Sequence, residues 1–195
     1  MTESRKEPWW KNGWVLGLAV LGLLHVTGMA VHVQAGLQRI LLETGLFHPQ
    51  VIAVESRVPA ATSFRYAGPD GGTRALADSD GKVRFVNFWA TWCAPCLAEM
   101  PAISRLHADY ADRVEFVMVS LDEDPDQASA YVDRAGFGFD PVRPASPVPS
   151  SLTSGVIPTT VVIDRSGRIA VREDGMADYD SRKFRLALDR LLSED

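Results

Sequence analysis

The sequence predicts an α/β domain built on a mixed β-sheet flanked by helices, preceded by an N-terminal transmembrane helix. Three observations lead to this prediction. Apolar, strand-like segments alternate with helical segments from residue 62 to residue 192. A Gly-containing turn joins two of the later strand-like segments into a hairpin. No Asp, Glu, Lys or Arg occurs from residue 12 to residue 38.

The N-terminal uncharged segment predicts a membrane anchor over residues 14–33. Its apolar centre, from Trp14 to Val31, is just long enough to cross a hydrocarbon core of about 30 Å as a helix. Basic residues precede it, so the positive-inside rule places residues 1–13 in the cytoplasm and the rest of the chain outside. The alternative is a cleaved signal peptide, for which Val33-Gln34-Ala35 offers a cleavage site. Both interpretations place the domain on the same side of the membrane.

Residues 34–57 are interpreted as a membrane-proximal helix and a linker. Leu37, Ile40, Leu41 and Leu42 recur near helical spacing, which predicts a helix that continues the anchor or lies along the membrane surface. His48-Pro49 ends this helix, and the domain is expected over residues 58–195.

Within the domain, turn residues and hydrophobic patterns separate the predicted elements. Strands buried on both faces are indicated by runs rich in β-branched and aromatic residues. Helix starts are indicated by capping residues, and Asp180 is expected to cap the last helix. In chain order, the predicted elements are a hairpin (62–66 and 73–76), a strand (83–90), a helix containing Pro101 (93–110), a strand (114–120), a helix opened by Asp124-Pro125 (to 136), a hairpin (159–164 and 168–172) and a helix (181–192).

Both cysteines of the chain lie in one motif, Cys93-Ala94-Pro95-Cys96, directly after an apolar strand. A helix N-terminus favours the thiolate form of Cys93, which we take as the nucleophile, with Cys96 one turn deeper as the resolving thiol. The competing interpretation is a pair of structural cysteines or half of a zinc site. No second Cys/His cluster supplies the four ligands that zinc prefers, which disfavours this alternative.

Composition excludes several classes of function. The net charge is −5, whereas nucleic-acid binding needs concentrated Lys and Arg, so no nucleic-acid partner is expected. The sequence contains neither of the common glycine-rich nucleotide-binding motifs.

Three sequence blocks resemble the membrane-anchored, thioredoxin-like thiol–disulfide oxidoreductases of the TlpA/ResA type. They are Asn87–Cys96, Glu99–Pro101 and Ile157–Asp164, and the resemblance covers residues 58–193. It implies a thioredoxin-like fold and a Cys93/Cys96 dithiol that works without a cofactor. The Pro- and Ser-rich stretch 136–154 departs from the family pattern.

The resemblance also implies roles for residues around the two cysteines. Pro158 corresponds to a cis-proline that faces them, so that the backbone of Ile157 pairs with an extended substrate. Trp92 is expected to contact the substrate. Glu99 is expected to act as an acid or base for the thiols. Asn87 occupies the position where cytoplasmic thioredoxins carry a buried Asp, and an amide cannot act as that base.

Taken together, these observations predict a reductase of disulfides in exported proteins. Apocytochrome c cysteines and the copper-site cysteines of respiratory oxidases are among the expected substrates. Because the chain has no third cysteine, a membrane-embedded thiol electron donor is required as a partner. The alternatives are a Cu(I) metallochaperone, although no His follows His107, and an oxidase or isomerase on the same fold. A thiol peroxidase would carry Thr three residues before the reactive cysteine, where this chain has Ala90, and this difference disfavours peroxidase activity.

Overall fold

A computed structural model describes residues 13–194, except residues 43, 45, 46, 69 and 80. Residues 1–12 of the predicted cytoplasmic segment 1–13 lie outside this range. Seven strands form one mixed sheet in the order β2-β1-β5-β4-β3-β6-β7. The strands are β1 (Arg65–Ala67), β2 (Thr73–Ala75), β3 (Val83–Trp89), β4 (Val114–Ser120), β5 (Pro141–Pro144), β6 (Thr159–Ile163) and β7 (Ile169–Asp174).

Five α-helices accompany the sheet in the described chain. They are α1 (Gly13–Val26), α2 (Met29–Leu42), α3 (Ala94–Tyr110), α4 (Pro125–Ala135) and α5 (Arg182–Ser193). One hydrophobic core joins the sheet to α3, α4 and α5, and a second covers the opposite face of the sheet with residues such as Phe64, Leu76 and Leu152. The predicted α/β architecture with a mixed sheet is confirmed.

The central strand β3 leads the chain to the two cysteines. All seven of its residues are buried, as the run of β-branched and aromatic residues predicts. It pairs in parallel with β4 and antiparallel with β6. The β6–β7 hairpin is also as predicted, with antiparallel pairing around Gly167 at a positive φ of 78°.

Strand β5 was not predicted, because its sequence is short and contains two prolines. It pairs in parallel with β4 and antiparallel with β1, so the early β1–β2 hairpin joins the main sheet through it. The stretch 136–154 therefore contributes a strand to the sheet as well as a loop.

The predicted single transmembrane helix is divided in two. Thr27 donates its side-chain hydroxyl to the carbonyl of Leu23 at 2.7 Å, and Gly28 follows with φ 70°, which ends α1. None of the described helices is by itself long and apolar enough to cross a membrane. Helices α1 and α2 meet that criterion only as a pair, across a bend of 99°.

The predicted cap of the last helix is wrong. Ser181, not Asp180, caps α5, because its hydroxyl accepts from the backbone N–H of Phe184. Asp180 instead accepts hydrogen bonds from Arg105 and Arg185. Pro101 lies inside α3, which continues on both sides of it.

Candidate active site

The predicted nucleophile, Cys93, is the N-cap residue of α3. Its Sγ accepts a hydrogen bond from the backbone N–H of Cys96 at 3.3 Å, and Pro95 occupies the first turn. Cys93 and Cys96 form a disulfide in this structure. Cys93 is 6% exposed and Cys96 is fully buried. Free N–H groups and the positive end of the helix stabilise a thiolate at Cys93, and only this thiol has access to solvent.

The loop before Cys93 is held by Asp122, a residue that sequence reasoning missed. The Asp122 carboxylate accepts from the backbone N–H of Thr91 at 3.1 Å and from its hydroxyl at 2.7 Å. The Ser120 hydroxyl donates to the same carboxylate at 2.8 Å. This cluster joins the end of β4 to the residue two before the nucleophile. No sequence signal pointed to it, because the two segments are distant along the chain.

The two tryptophans beside the motif have different environments. Trp92, directly before Cys93, is 62% exposed. Trp89 is fully buried, and its ring lies 5.8 Å from that of Tyr131 of α4. Trp89 is therefore a core residue, and Trp92 is the aromatic surface next to the thiol.

The Ile157-Pro158 peptide bond is cis, as the resemblance implied. Phe88 pairs with Thr159, so Pro158 lies beside Trp89, the last residue of β3, which is four residues before Cys93. The Pro158 carbonyl accepts from Gly175 N–H at 2.8 Å. Within the described chain, the backbone of Ile157 makes no hydrogen bond to another backbone group. An extended peptide can therefore pair with Ile157 at the edge of the site.

Glu99 lies fully buried in the second turn of α3, behind the cysteines. One carboxylate oxygen accepts from Nδ2 of Asn87 at 2.8 Å, and the other accepts from the backbone N–H of Ala177 at 3.3 Å. The same Asn87 amide group donates to Oγ1 of Thr160 at 2.9 Å. Asn87 is thus not a substitute base but the group that orients Glu99.

Burial raises the pKa of Glu99 from 4.5 to about 8, against the lowering effect of the hydrogen bonds from Asn87 and Ala177. The carboxyl is therefore half-protonated near pH 8 and mostly protonated at pH 7, with a minor ionised fraction that can accept a proton. Sequence reasoning singled out Glu99 only through the resemblance. The pKa depends on burial, which no local pattern reveals.

Tyr179 is a second buried polar group that the sequence did not indicate. Burial raises the pKa of its phenol well above 10, and the charge of Glu99 raises it further. The ring packs edge-on against Phe85 and Phe184. Tyr179 is thus a buried phenol of the core whose pKa is coupled to the charge of Glu99.

Metal binding has little support in the described residues. No group of three or more His, Cys, Asp or Glu side chains among them is placed to hold a metal ion. The two thiols of the reduced protein are the soft ligands that the site itself offers.

The geometry is that of a dithiol/disulfide centre, and the comparisons with known proteins agree. The sequence profile of the Redoxin family matches residues 53–183. The chain belongs to the Redoxin family. Within it, the protein is a thioredoxin-like thiol–disulfide oxidoreductase of the TlpA/ResA type.

Three relatives support this assignment. The thiol:disulfide interchange protein HelX of Rhodobacter capsulatus is 31% identical over 155 residues, which cover 72% of this chain and 86% of HelX. The thiol-disulfide oxidoreductase ResA of Oceanobacillus iheyensis is 39% identical over 113 residues, 57% of this chain and 59% of ResA. A solved thiol:disulfide interchange protein of Chlorobium tepidum is 30% identical with a TM-score of 0.57, covering 70% of this chain and 99% of that chain.

Proposed function

We propose that this Redoxin-family protein reduces disulfides in exported proteins, with Cys93 as the attacking thiol. The observation that carries the proposal is the arrangement of three groups on the first turns of α3. Cys93 caps the helix at the surface, Cys96 is buried one turn deeper, and Glu99 is buried one further turn along. This order matches the order in which a reductase uses an attacking thiol, a resolving thiol and a proton acceptor.

In the first step, the Cys93 thiolate attacks one sulfur of a substrate disulfide. A bond forms between Cys93 Sγ and that sulfur, the substrate disulfide bond breaks, and the second substrate sulfur leaves as a thiolate. The helix N-terminus stabilises the attacking thiolate, and the backbone of Ile157 aligns the substrate strand.

In the second step, Cys96 resolves the mixed disulfide. Its thiol loses a proton, and the thiolate attacks Cys93 Sγ. The bond between Cys93 Sγ and the substrate sulfur breaks, that sulfur leaves as a thiolate, and the Cys93–Cys96 disulfide remains. Two electrons pass from the dithiol to the substrate. Glu99, ionised in part of the population at neutral pH, is the nearby group that accepts the proton of the buried Cys96 thiol.

Regeneration requires an external dithiol. The chain has no third cysteine, so the electrons that reduce the Cys93–Cys96 disulfide come from another protein. We propose a membrane-embedded thiol donor and a domain on the outer side of the cytoplasmic membrane. Support comes from the basic residues before the uncharged window and from the exposed apolar surface of α1. Apocytochrome c cysteines and oxidase copper-site cysteines are the substrate classes to test first.

Thiol trapping in growing cells tests the direction of electron flow. The full-length protein is quenched with acid and labelled with a mass-tagged maleimide, and the variants Cys93→Ser and Cys96→Ser mark the positions of the singly labelled bands. We expect the resting protein to be mostly the dithiol, and to become mostly the disulfide when thiol donors are deleted. A mostly disulfide resting state would show that the protein works as an oxidase.

A further inference from the structure

Helix α2 has two apolar faces that point in opposite directions. Its inner face packs against the domain core, where Ala35 and Leu42 are buried and Val31 is partly buried. Its outer face carries large apolar side chains that are all exposed, and we call it the outer stripe: Met29, Val33, Leu37, Ile40 and Leu41. A helix that only covers the domain would place polar residues on the outer face.

The outer stripe is continuous and uncharged. Met29, Val33 and Leu37 are four residues apart, and Ile40 and Leu41 follow Leu37 by three and four residues, so all five lie on one side of the helix. Leu37 and Ile40 are 66% and 65% exposed. A contiguous exposed patch of this kind marks a binding surface for protein or membrane.

The neighbouring helix α1 indicates which of these covers the stripe. None of its residues is buried, and large apolar side chains are exposed along its length from Trp14 to Val26. No charged residue occurs from 12 to 38, so α1 and most of the stripe form one uncharged surface. A helix that is apolar on all sides and has no buried residue is suited to the bilayer interior.

The bend between the two helices then orients α2. The pair is bent by 99°, so when α1 lies along the bilayer normal, α2 lies close to the bilayer plane. In that position the outer stripe faces the boundary between headgroups and acyl chains, as in interfacial amphipathic helices. The inner face keeps its contact with the domain.

The same packing places the active site beside the membrane. His32 of α2 and Thr91, two residues before Cys93, line one pocket, so the N-terminal half of α2 lies next to the active-site loop. At the other end, Leu42 lines a pocket with Ala98 and Ala102 of α3. Helix α2 therefore runs along α3 with its N-terminal end at the cysteine side.

We propose that α2 is an interfacial helix held between the bilayer and α3, and that it keeps the Cys93/Cys96 pair at the membrane surface. The partner of the outer stripe is the lipid bilayer itself. This proposal rests on the proposed function in one respect. A site held at the membrane surface favours exchange with a membrane-embedded thiol donor over exchange with a donor free in solution.

Depth-dependent fluorescence quenching tests the position of the helix. A single cysteine at Leu37→Cys, in a Cys93→Ser/Cys96→Ser background, carries an environment-sensitive fluorophore in the full chain. The protein is placed in phosphatidylcholine–phosphatidylglycerol vesicles that contain a lipid with a shallow spin label. We expect strong quenching at position 37 and none at a control label at Arg74→Cys, an exposed position on the edge strand β2. Equal quenching at the two positions, or protection of position 37 by self-association without lipid, would overturn the proposal.

Exchange kinetics test the consequence for the active site. Reduced protein in the same vesicles reacts with a disulfide peptide that is either free or tethered to a lipid headgroup. For the variant Leu37→Gln/Ile40→Gln/Leu41→Gln, we expect a loss of about tenfold with the tethered peptide, because the enforced proximity is lost. The rate with the free peptide should be unchanged. An unchanged rate with the tethered peptide would refute the interfacial helix, whereas no exchange with either peptide in the unsubstituted protein would refute the proposed reductase.

Discussion

Replacing Glu99 by Gln should change how the stability of the protein depends on pH. Burial raises the pKa of Glu99 to about 8 in the folded protein, against 4.5 for the exposed carboxyl of the unfolded chain. Between these values the folded state binds a proton that the unfolded state has released. The free energy of unfolding therefore falls as pH rises, by about 1.4 kcal/mol per pH unit.

The size of this effect follows from the two pKa values. From pH 4.5 to about pH 8, Glu99 removes about 5 kcal/mol of stability, as an order of magnitude. Below pH 4.5 the carboxyl is neutral in both states, and above pH 8 it is ionised in both, so the curve is flat on either side. The Gln variant cannot ionise, and it loses only the hydrogen bond from Ala177, at a cost of about 1–2 kcal/mol. The two stability curves should cross between about pH 5 and pH 6.

Urea denaturation of the disulfide forms from pH 5 to pH 9 measures this difference. Subtraction of the Gln curve from the curve of the unsubstituted protein cancels contributions from other groups whose pKa values are raised, such as Glu173 and Asp178. Glu123→Gln, in the exposed β4–α4 loop, is the control and should leave the slope unchanged. If the difference in free energy of unfolding between the unsubstituted protein and the Gln variant does not vary with pH, the raised pKa of Glu99 is refuted. The role in proton transfer that depends on it is then refuted too.

Three further predictions follow from the site and the domain. Cys96→Ser should accumulate mixed disulfides between Cys93 and its substrates, seen on non-reducing gels, and their absence would contradict the order of the two thiols. Asp122→Ala should lower the free energy of unfolding by about 1–3 kcal/mol, because the Thr91 N–H and hydroxyl lose their acceptor, and Asp122→Asn should recover part of it in urea denaturation. Arg57→Met should cost about 3 kcal/mol in the same assay, because it leaves the buried Asp164 carboxylate without the Arg57 guanidinium 3.0 Å away, and an unchanged midpoint would show that the pair is neutral.

Local chemistry was enough to predict most of the scaffold. β3 and β4 are apolar runs, and the start of α4 follows from Asp124 as cap and Pro125 at the first helical position. Local sequence signals did not predict the structure of segments that depend on contacts with other parts of the chain. The helix break at Thr27-Gly28 lies within a run whose hydropathy alone predicts continuity. Strand β5 exists because β1 and β4 offer hydrogen-bonding edges to a sequence with low strand propensity.

For the candidate site, the sequence by itself determined the chemistry. Two thiols separated by two residues at the start of a helix predict an attacking and a resolving cysteine, because helix geometry places one at the N-terminus and the other a turn deeper. Only the tertiary structure decided how the pair is tuned and placed. Glu99 has its raised pKa because the core excludes water from it, and Asp122 and α2 reach the site from distant parts of the chain. Burial and long-range contacts of this kind exist only after the chain has folded.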